Sequence, residues 1–555
     1  MTKIKFSNLE REKTVKKLNE TEFDLVVIGG GITGAGILLD AASRGMKVAL
    51  IEKNDFASGT SSKSTKLIHG GLRYLKQFDF WLVKEVGSER AIVHKLAPHL
   101  VIPEKMLLPL IEHGSYGKWL TSIGLKVYDI LAQVEGDDQR RMLDKKEALQ
   151  LEPLLPKKIL KGAGYYAEYR TDDARLTIEN IKTALQYEGV PINYTKVVDF
   201  LYQDEQVKGV KVEDIITGKV YEIKSKYVVN AAGPWVDELR EINHSKKGKK
   251  LHLTKGVHLV FPHEKLPVKQ SVYFDVPDGR MIFAIPRGKV TYVGTTDTNY
   301  YDNKDQIQVD LADAIYLISA VNNMFPSINL EMEDIVSTWA GLRPLIHEEG
   351  KSASELSRKD EMFKSETGLI SIAGGKLTGY RKMAERVVNR VAKKLEKYYG
   401  IETKKNYTDE TPLCGNEGFK KYKDVEDYIE EVFLRIKREG FKEYDAWFLV
   451  SAYGHQTTTI LEIYEILKDE DIYIRMAKAE FLFGVDYEMV QTPMDFFIRR
   501  TGRMYFDINS IRDLLEPILK EYQSVFKVDD ATIQRYRDVM HNEIEKHSDF
   551  SFDRM

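Results

Sequence analysis

The amino-terminal part of the chain alternates apolar runs with a longer amphipathic stretch. Residues 25–28 are apolar and mostly β-branched, a pattern typical of a buried parallel strand. Residues 35–44 read as a helix, and residues 46–51 form a second apolar run. This order predicts a βαβ unit in a parallel sheet, whereas the charged residues 1–21 predict a solvent-exposed helical arm.

The hydrophobic pattern changes twice further along the chain. Residues 251–262, 271–275, 280–286 and 289–295 alternate as strands and predict an antiparallel sheet, where a substrate domain would sit. Beyond residues 404–406 the period becomes helical, which predicts a separate carboxy-terminal domain without catalytic groups. Its predicted helices are residues 425–438, 444–453, 459–467, 472–483, 510–525 and 532–547.

The turn between the first predicted strand and helix has the spacing G-x-G-x-x-G. Gly29 would allow the tight turn, Gly31 would let the backbone approach a pyrophosphate, and Gly34 would let helix and strand pack closely. The helix amino terminus would direct amide groups at the phosphates. Glu52 ends the second strand, where an acid binds the adenosine ribose. With all these elements in place, we predict a nucleotide site here.

Three later segments extend this prediction. A Ser- and Thr-rich loop that ends in His69-Gly-Gly-Leu-Arg-Tyr follows Glu52 at once, which favours a place beside the cofactor over a plain surface loop. A buried strand that runs into Ala231-Ala-Gly, with an acid after it, is the second half-signature of a two-dinucleotide-fold flavoprotein. The Gly-Gly turn at Gly374 would aim a helix amino terminus at a flavin carbonyl.

Together these segments predict the fold class α/β plus all-α. The chain would be a two-dinucleotide-fold flavoprotein with a Rossmann-like FAD domain of the glutathione-reductase and D-amino-acid-oxidase type, an antiparallel-sheet substrate domain and a helical carboxy-terminal domain. The predicted domains are residues 20–96, 160–250 and 335–398 for FAD, residues 97–159 and 251–334 for the substrate, and residues 399–555 for the helical domain.

Composition narrows the class of protein. A chain of 555 residues is too long for one core, and its net charge of −3 argues against a broad nucleic-acid surface. The single cysteine, Cys414, excludes an internal disulfide and a Cys-rich metal site, and it fits a reducing compartment. Residues 1–20 have no signal-peptide pattern, and no apolar run reaches the ~18 residues that a spanning helix needs. The apolar residues 119–132 favour core packing over a membrane-facing surface.

An ordered set of motifs resembles one family along nearly the whole chain, the FAD-dependent, bacterial aerobic glycerol-3-phosphate dehydrogenases. Two departures from the family pattern are Lys63, where relatives often have Arg or a small residue, and Gly379, where a second Thr is common. The motifs that carry the resemblance are the Gly29 fingerprint, Lys66-Leu-Ile-His-Gly-Gly-Leu-Arg-Tyr, Asp172-Asp-Ala-Arg-Leu, Asn230-Ala-Ala-Gly-Pro-Trp, Gly294-Thr-Thr-Asp, Gly341-Leu-Arg-Pro and Gly374-Gly-Lys-Leu-Thr.

The resemblance implies oxidation of sn-glycerol 3-phosphate to dihydroxyacetone phosphate, with FAD as cofactor and electrons passed to membrane quinone. It also implies a cytoplasmic homodimer in peripheral contact with the inner face of the cell membrane. The implied catalytic residues are His69 as base, Arg343 on the C2 oxygen, and Lys376. Arg73, Tyr74 and Arg280 would bind the substrate phosphate. The predicted cofactor residues are Asp24, Gly29, Gly31, Gly34, Glu52, Ser61, Ser62, Ala232, Gly233, Gly375 and Thr378.

Three other functions remain open at this point. The related oxidase gives its electrons to oxygen, but its members carry a longer segment than residues 346–367 after the Arg-Pro motif. An amine or amino-acid oxidase on the same fold would need a carboxylate clamp instead of a phosphate site. The protein could also be a flavin-bound redox sensor, in which case no small substrate would bleach the absorbance of its flavin.

Overall fold

The computed structural model describes residues 4–69, 80–112, 140–347, 360–468 and 471–548. The strands in this part of the chain are β1 Phe23–Ile28, β2 Val48–Ile51, β3 Leu67–Ile68, β4 Ile102–Ile111, β5 Arg141–Leu143, β6 Leu160–Arg170, β7 Val190–Ile192, β8 Thr195–Gln203, β9 Gln206–Asp214, β10 Val220–Asn230, β11 Leu251–Pro262, β12 Ser271–Asp275, β13 Met281–Arg287, β14 Val290–Gly294, β15 Thr298–Asn299, β16 Ser337–Ile346, β17 Glu361–Lys364 and β18 Ile370–Ala373.

The first sheet has five parallel strands at its centre, in the order β18, β10, β1, β2, β7. The helix Ile32–Ser43 connects β1 to β2, which confirms the predicted βαβ unit. All six residues of β1 are buried, because helices cover a parallel sheet on both faces. β17 pairs antiparallel with β18, and the β8–β9 hairpin extends β10.

The second sheet is mostly antiparallel, in the order β15, β11, β14, β13, β12, β4, β6, β3, with β16 beside β11 and β5 beside β6. It confirms the predicted antiparallel sheet. The domain boundaries differ from the prediction at two strands, because β6 and β16 were placed in the FAD domain. Their partners are β4 and β11, so both belong to the second sheet.

Besides the π-helix Asp495–Arg500, the described part of the chain contains α-helices, which were predicted best where their apolar period is long. They are Arg11–Glu20, Ile32–Ser43, Phe80–Leu96, Lys145–Leu151, Asp173–Leu185, Val236–Ile242, Leu311–Met324, Tyr380–Tyr399, Tyr422–Ile436, Glu443–Tyr453, Thr457–Ile466, Ile472–Tyr487, Arg503–Phe506, Ile508–Phe526 and Asp530–Ser548. None of them has both the length and the apolar content that crossing a membrane requires. Residues 119–132 lie outside the described part of the chain.

The carboxy-terminal helices form the predicted helical domain, and their first part has a core of its own that includes Val425, Leu449 and Ile460. The later helices also pack on the second sheet, because Tyr292 and Trp339 share one buried apolar cluster with Phe481, Tyr505 and Leu515. This domain therefore covers one apolar face of the substrate sheet.

The amino-terminal arm also differs from its prediction. The helix Arg11–Glu20 buries Arg11, whose Nε donates to Asp214 at 2.9 Å and whose guanidinium also reaches the carbonyl oxygen of Asn193. Leu18 is buried on the same helix. The arm is thus anchored beside β7 and β9 by these two residues, while most of its other side chains are exposed, as predicted.

Candidate active site

A cavity of about 720 Å³ lies where the carboxyl ends of β1, β10 and β18 meet the second sheet. Ligands of open α/β sheets bind at this end of the strands. The volume is that of a ligand pocket, roughly 300–1,000 Å³. The predicted site residues on its wall are Gly29, Gly31, Glu52, Ser61, His69, Ala232, Gly233, Arg280, Arg343, Gly375, Lys376 and Thr378.

The first glycine turn has the roles that its spacing predicted. Gly29 has φ +111°, and a Cβ there would lie 2.6 Å from the carbonyl oxygen of Ala231. A Cβ at Gly34 would overlap the carbonyl oxygen of Gly29, so Gly34 permits close packing and is not on the cavity wall. Gly31 is on the wall, directly before the helix Ile32–Ser43.

Ser61 and Ser62 have different surroundings, although both were predicted to contact the cofactor. The Ser61 hydroxyl accepts a hydrogen bond from the Ile32 amide at 2.9 Å, which joins the Ser-rich loop to the helix amino terminus at the cavity. Ser62 is buried and absent from the described wall; its carbonyl oxygen accepts from Lys66. The structure therefore does not bring Ser62 to the cavity wall, and its contact with the cofactor stays a prediction.

Glu52 lies on the cavity wall, as expected for a ribose-binding acid. One carboxylate oxygen accepts from the Gly30 amide at 2.7 Å, and the other accepts from the Asn54 amide at 2.8 Å. Burial raises the pKa of this carboxyl group, against the effect of the two amide donors. The carboxylate is held in one orientation beside the glycine turn.

Asp24 is not at the cavity, so its predicted cofactor contact is corrected. It lies near the amino end of β1, whereas Gly29 follows the carboxyl end. Its carboxylate pairs with Lys226 at 2.8 Å and accepts from the Lys47 amide at 3.0 Å. Asp24 therefore joins β1 to its neighbours at the edge of the sheet remote from the cofactor.

The second glycine turn closes the other end of the cavity. Gly374 and Gly375 have φ +79° and +82°, a conformation that favours glycine. Lys376 precedes a short 3₁₀ turn that leads into the helix Tyr380–Tyr399. The Thr378 hydroxyl donates to the carbonyl oxygen of His69 at 3.2 Å, so this turn is joined to the loop of the predicted base.

Arg343 is held by three acceptors beside the cavity. Its guanidinium donates to the carbonyl oxygen of Thr296 at 3.0 Å, to Asp297 at 3.2 Å and to the Thr295 hydroxyl at 2.8 Å. A Cβ at Gly256 would lie 2.6 Å from the guanidinium carbon, so this glycine makes room for the flat group. Asp297 belongs to a motif that the sequence showed, but its role toward Arg343 was not predicted.

His69 directly follows β3 and lines the cavity beside two aromatic rings. Its ring lies 6.4 Å from that of Phe283, which stacks on Tyr273 at 4.2 Å. The loop before it depends on Lys66, a buried residue with φ +58°. The Lys66 ammonium donates to Asp173 at 2.5 Å and to the Ser62 carbonyl at 3.1 Å.

Aromatic side chains surround this buried lysine. Its Nζ lies 6.0, 5.6 and 5.8 Å from the ring centroids of Trp339, Tyr505 and Phe506. Tyr505 and Phe506 belong to the carboxy-terminal helices. The loop that carries His69 is thus supported from behind by the last part of the chain.

His258 reaches the cavity wall although the sequence gave no reason to select it. It is buried on β11, stacks on Trp339 at 4.6 Å, and its Nε2 lies 3.0 Å from the Thr65 hydroxyl. Burial, with the charges of Arg343 and Lys66 nearby, lowers its pKa well below the ordinary value. From the sequence, a single histidine in an apolar strand cannot be assigned to a functional site, because a histidine of the core has the same pattern.

Arg280 lies on the cavity wall, but its guanidinium is already engaged. It donates to Asp278 from Nε at 2.8 Å and lies 3.9 Å from the centroid of the Tyr316 ring. The other two predicted phosphate-binding residues, Arg73 and Tyr74, lie outside the described part of the chain. The structure therefore brings the predicted catalytic residues and Arg280 to one cavity.

The cavity wall near the first glycine turn fits the adenosine half of FAD. Gly31, the capped helix and Glu52 form a pyrophosphate and ribose site of the expected chemistry. Small residues, Ala232 and Gly233, let the chain pass close to a ring system in between. These residues would hold the cofactor at its adenosine half.

Replacement of Glu52 with Gln should weaken FAD binding by about tenfold, because one acceptor and the charge are lost from a buried hydrogen-bond pair. The FAD dissociation constant is measured from the change in flavin fluorescence when apoprotein is titrated with FAD. Glu238→Gln is the matched control, since Glu238 lines the same cavity but is exposed and paired with Lys304. An unchanged FAD dissociation constant in Glu52→Gln would contradict the ribose-site assignment.

Comparisons with known proteins agree with this geometry. Residues 24–381 match the family model described as FAD dependent oxidoreductase, and residues 406–533 match the C-terminal domain of alpha-glycerophosphate oxidase. The aerobic glycerol-3-phosphate dehydrogenase of Bacillus subtilis (strain 168) is 50% identical over 546 residues, 97% of each chain. That of Staphylococcus aureus (strain USA300) is 49% identical over 543 residues, again 97% of each chain.

Solved structures give the same result. The glycerol-3-phosphate dehydrogenase from Bacillus halodurans, complexed with FAD, aligns with a TM-score of 0.84 and 41% identity, covering 98% of this chain and 99% of that one. The L-alpha-glycerophosphate oxidase from Mycoplasma pneumoniae aligns with a TM-score of 0.55 and 20% identity over 70% of this chain and 98% of that one, a likeness of fold. The fold class predicted from the sequence is confirmed. The chain belongs to the FAD-dependent oxidoreductases and, within them, to the family of aerobic glycerol-3-phosphate dehydrogenases.

Proposed function

We propose that this enzyme oxidises sn-glycerol 3-phosphate at C2 to dihydroxyacetone phosphate and passes the electrons to membrane quinone. The observation that carries the proposal is the convergence of His69, Arg343, Lys376 and Arg280 on the cavity that fits FAD. A phosphorylated alcohol needs a base for its hydroxyl proton and cations for its oxygen and phosphate, and this wall contains both. The names of the relatives support the same substrate.

The roles of the side chains follow from their chemistry. Bound FAD supplies the hydride acceptor. Arg343 would hold the C2 oxygen and stabilise its developing negative charge, because a guanidinium stays charged and donates in a fixed fork. His69 would take the hydroxyl proton, and Lys376 would add positive charge at the second glycine turn. Arg280 would bind the phosphate, with Arg73 and Tyr74 as its proposed partners.

Asp297, Thr295 and Thr296 would keep Arg343 from rotating away from the substrate. All three bind its guanidinium on the side of β14 and β15. Tyr273 and Phe283 would exclude water from the face beside His69. A dry, pre-oriented site strengthens each electrostatic contact with the substrate.

The second candidate is the corresponding oxidase, which reduces oxygen. It is favoured by the match of residues 406–533 to the C-terminal domain of alpha-glycerophosphate oxidase. The dehydrogenase is favoured by the near full-length relatives that carry that name. Electron transfer to membrane quinone implies contact with the bilayer surface, so peripheral attachment on the cytoplasmic side, as a homodimer, is part of the proposal.

The decisive experiment mixes the FAD-loaded protein anaerobically with glycerol 3-phosphate. Bleaching of the visible flavin bands is expected, and glycine or proline should leave them unchanged. Turnover is then compared with a soluble quinone analogue and with oxygen alone. A flavin that stays oxidised would refute the substrate, and peroxide as the main product would favour the oxidase.

A further inference from the structure

A second cavity, of about 420 Å³ and more open to the surface than the first, lies at the junction between the substrate sheet and the carboxy-terminal helices. One wall comes from the ends of β6, β11 and β13 and contains Arg170 and His263. The opposite wall is the helix Glu443–Tyr453, which contributes Tyr444 and Trp447. None of the residues that line this second cavity lines the FAD cavity.

The charge of the lining has one sign. Of the eight described residues that line the cavity, Arg170, Lys269 and His263 are basic and none is acidic. Lys269 is exposed, and its ammonium group has no acceptor among the residues that the structure describes. Such a lining favours an anionic ligand.

Arg170 is the best-placed cation of this set. Its side chain is only 12% exposed and forms an ion pair with Glu104, whose oxygen lies 3.4 Å from Nε, although this buried Nε has no hydrogen bond. Its two terminal nitrogens have no assigned acceptor within the described residues, although a guanidinium can donate five hydrogen bonds. A mostly buried cation with spare donors beside a cavity is suited to a bidentate anion such as a phosphate group.

The remaining wall is aromatic and closely fitted. The rings of Tyr444 and Trp447 lie 5.4 Å apart with an interplanar angle of 32°, and the Arg170 guanidinium lies 5.4 Å from the Trp447 ring. Gly288, at φ +60°, lets Tyr444 approach, because a Cβ there would collide with its ring. Rings held this way offer a stacking surface for a flat ligand group.

His263 adds a hydrogen-bonding group to the cavity. The Thr291 hydroxyl donates to the carbonyl oxygen of Leu266 at 2.8 Å, so the 3.0 Å contact between Thr291 and His263 places a ring proton on Nδ1. The other ring nitrogen, Nε2, has no hydrogen bond with a described residue and can bond to a ligand hydroxyl group. A stacking surface, donors for an anion and a hydrogen-bonding partner for a hydroxyl group together match the chemistry of a nucleotide.

We propose that this cavity is a second ligand site, independent of the FAD cavity, which binds a phosphate-bearing compound with a planar ring, of the chemistry of a nucleoside diphosphate. Its walls come from the substrate sheet and from the carboxy-terminal helices, so its occupant would link the two. The occupant makes no contact with the reacting atoms.

The test is calorimetric titration of the FAD-loaded protein with ADP, in the presence of saturating dihydroxyacetone phosphate so that both parts of the first cavity are filled. One ADP per chain is expected to bind. Arg170→Gln should weaken binding by at least about tenfold, since a charge-assisted bidentate contact is lost. Lys265→Gln is the matched control, because Lys265 lies near the cavity in sequence but pairs with Asp334 and does not line it.

Two further arms test the aromatic wall. Gly288→Ala should also weaken ADP binding, because the added methyl group would displace the Tyr444 ring from the wall. Pyrophosphate should bind at least about tenfold more weakly than ADP, because it cannot stack. No binding of ADP, equal binding to wild type and Arg170→Gln, or equal affinity for pyrophosphate and ADP would each overturn the proposal.

Discussion

Replacement of Arg343 with Gln is expected to slow the reduction of FAD by glycerol 3-phosphate by about 100- to 1,000-fold, the usual loss when one donor to a developing oxyanion is removed. Gln keeps a donor but has no charge and cannot form the fork. Thr295, Thr296 and Asp297 fix the orientation of the guanidinium. A side chain of another shape would therefore not take its place. The measurement is the rate of anaerobic flavin bleaching in a stopped-flow instrument.

Gly256→Ala provides a matched variant that leaves Arg343 in place. The new methyl group would lie within contact of the guanidinium, so Arg343 should shift and the bleaching rate should fall, although less than in Arg343→Gln. FAD content and thermal stability of both variants serve as controls for folding. A bleaching rate within about twofold of wild type in Arg343→Gln would remove Arg343 from the chemical step.

Replacement of Asp55 with Asn is expected to lower the free energy of unfolding by about 3–5 kcal/mol, the usual effect of breaking a buried ion pair. Asp55 lies three residues after Glu52, and its buried carboxylate accepts from Arg500 at 2.8 and 2.9 Å and from Arg499 at 2.5 Å. Without the negative charge both arginines lose a buried counter-charge. Urea unfolding followed by near-ultraviolet circular dichroism measures the change.

Asp427→Asn is the control for that measurement. Asp427 is 62% exposed and pairs with Lys423 on the surface, so its loss should change stability by less than about 1 kcal/mol. A similar loss of stability in both variants would show that the buried ion pair contributes no more to the free energy of unfolding than the exposed pair. FAD retention should fall with Asp55→Asn as well, since the loop after Glu52 is held by this pair.

Acid should destabilise the protein through the same group. Burial alone would raise the pKa of Asp55, but Arg500 and Arg499 outweigh burial and lower it to about 2. Since its ordinary value is about 3.9, this carboxylate stabilises the fold fully above about pH 4 and progressively less as the pH falls toward 2. Asp55→Asn should therefore show a weaker dependence of stability on pH in that window. An identical acid profile in wild type and variant would contradict this linkage.

The sequence predicted the parts of the site that depend on neighbouring residues. Gly29, Gly34 and Glu52 belong to one strand–turn–helix–strand unit, so their spacing alone determines their geometry. The Gly374 turn is similar, because strand, turn and helix follow each other directly. Asp24 was misplaced, since proximity in sequence to the fingerprint does not show which end of the strand faces the ligand.

Contacts between distant segments could not be predicted in this way. Asp55 and Arg500 are 445 positions apart, and no local period relates them. His258 reaches the cavity only because β11 pairs with β16 in the second sheet, and Lys66 meets Tyr505 only because the carboxy-terminal helices cover that sheet. The helical domain was predicted from its period, but which face it covers depends on the complementary shape of two surfaces.

The ring of aromatic side chains around Lys66 has a consequence for biosynthesis. A nascent chain that has emerged from the ribosome only as far as residue 400 already contains every motif of the FAD cavity, but it lacks Tyr505 and Phe506. Lys66 would then be without two of its three rings, and its strained backbone without support. Stable uptake of flavin is therefore expected late in translation, once the final helices have been made, and ribosome-bound chains truncated before them should be colourless.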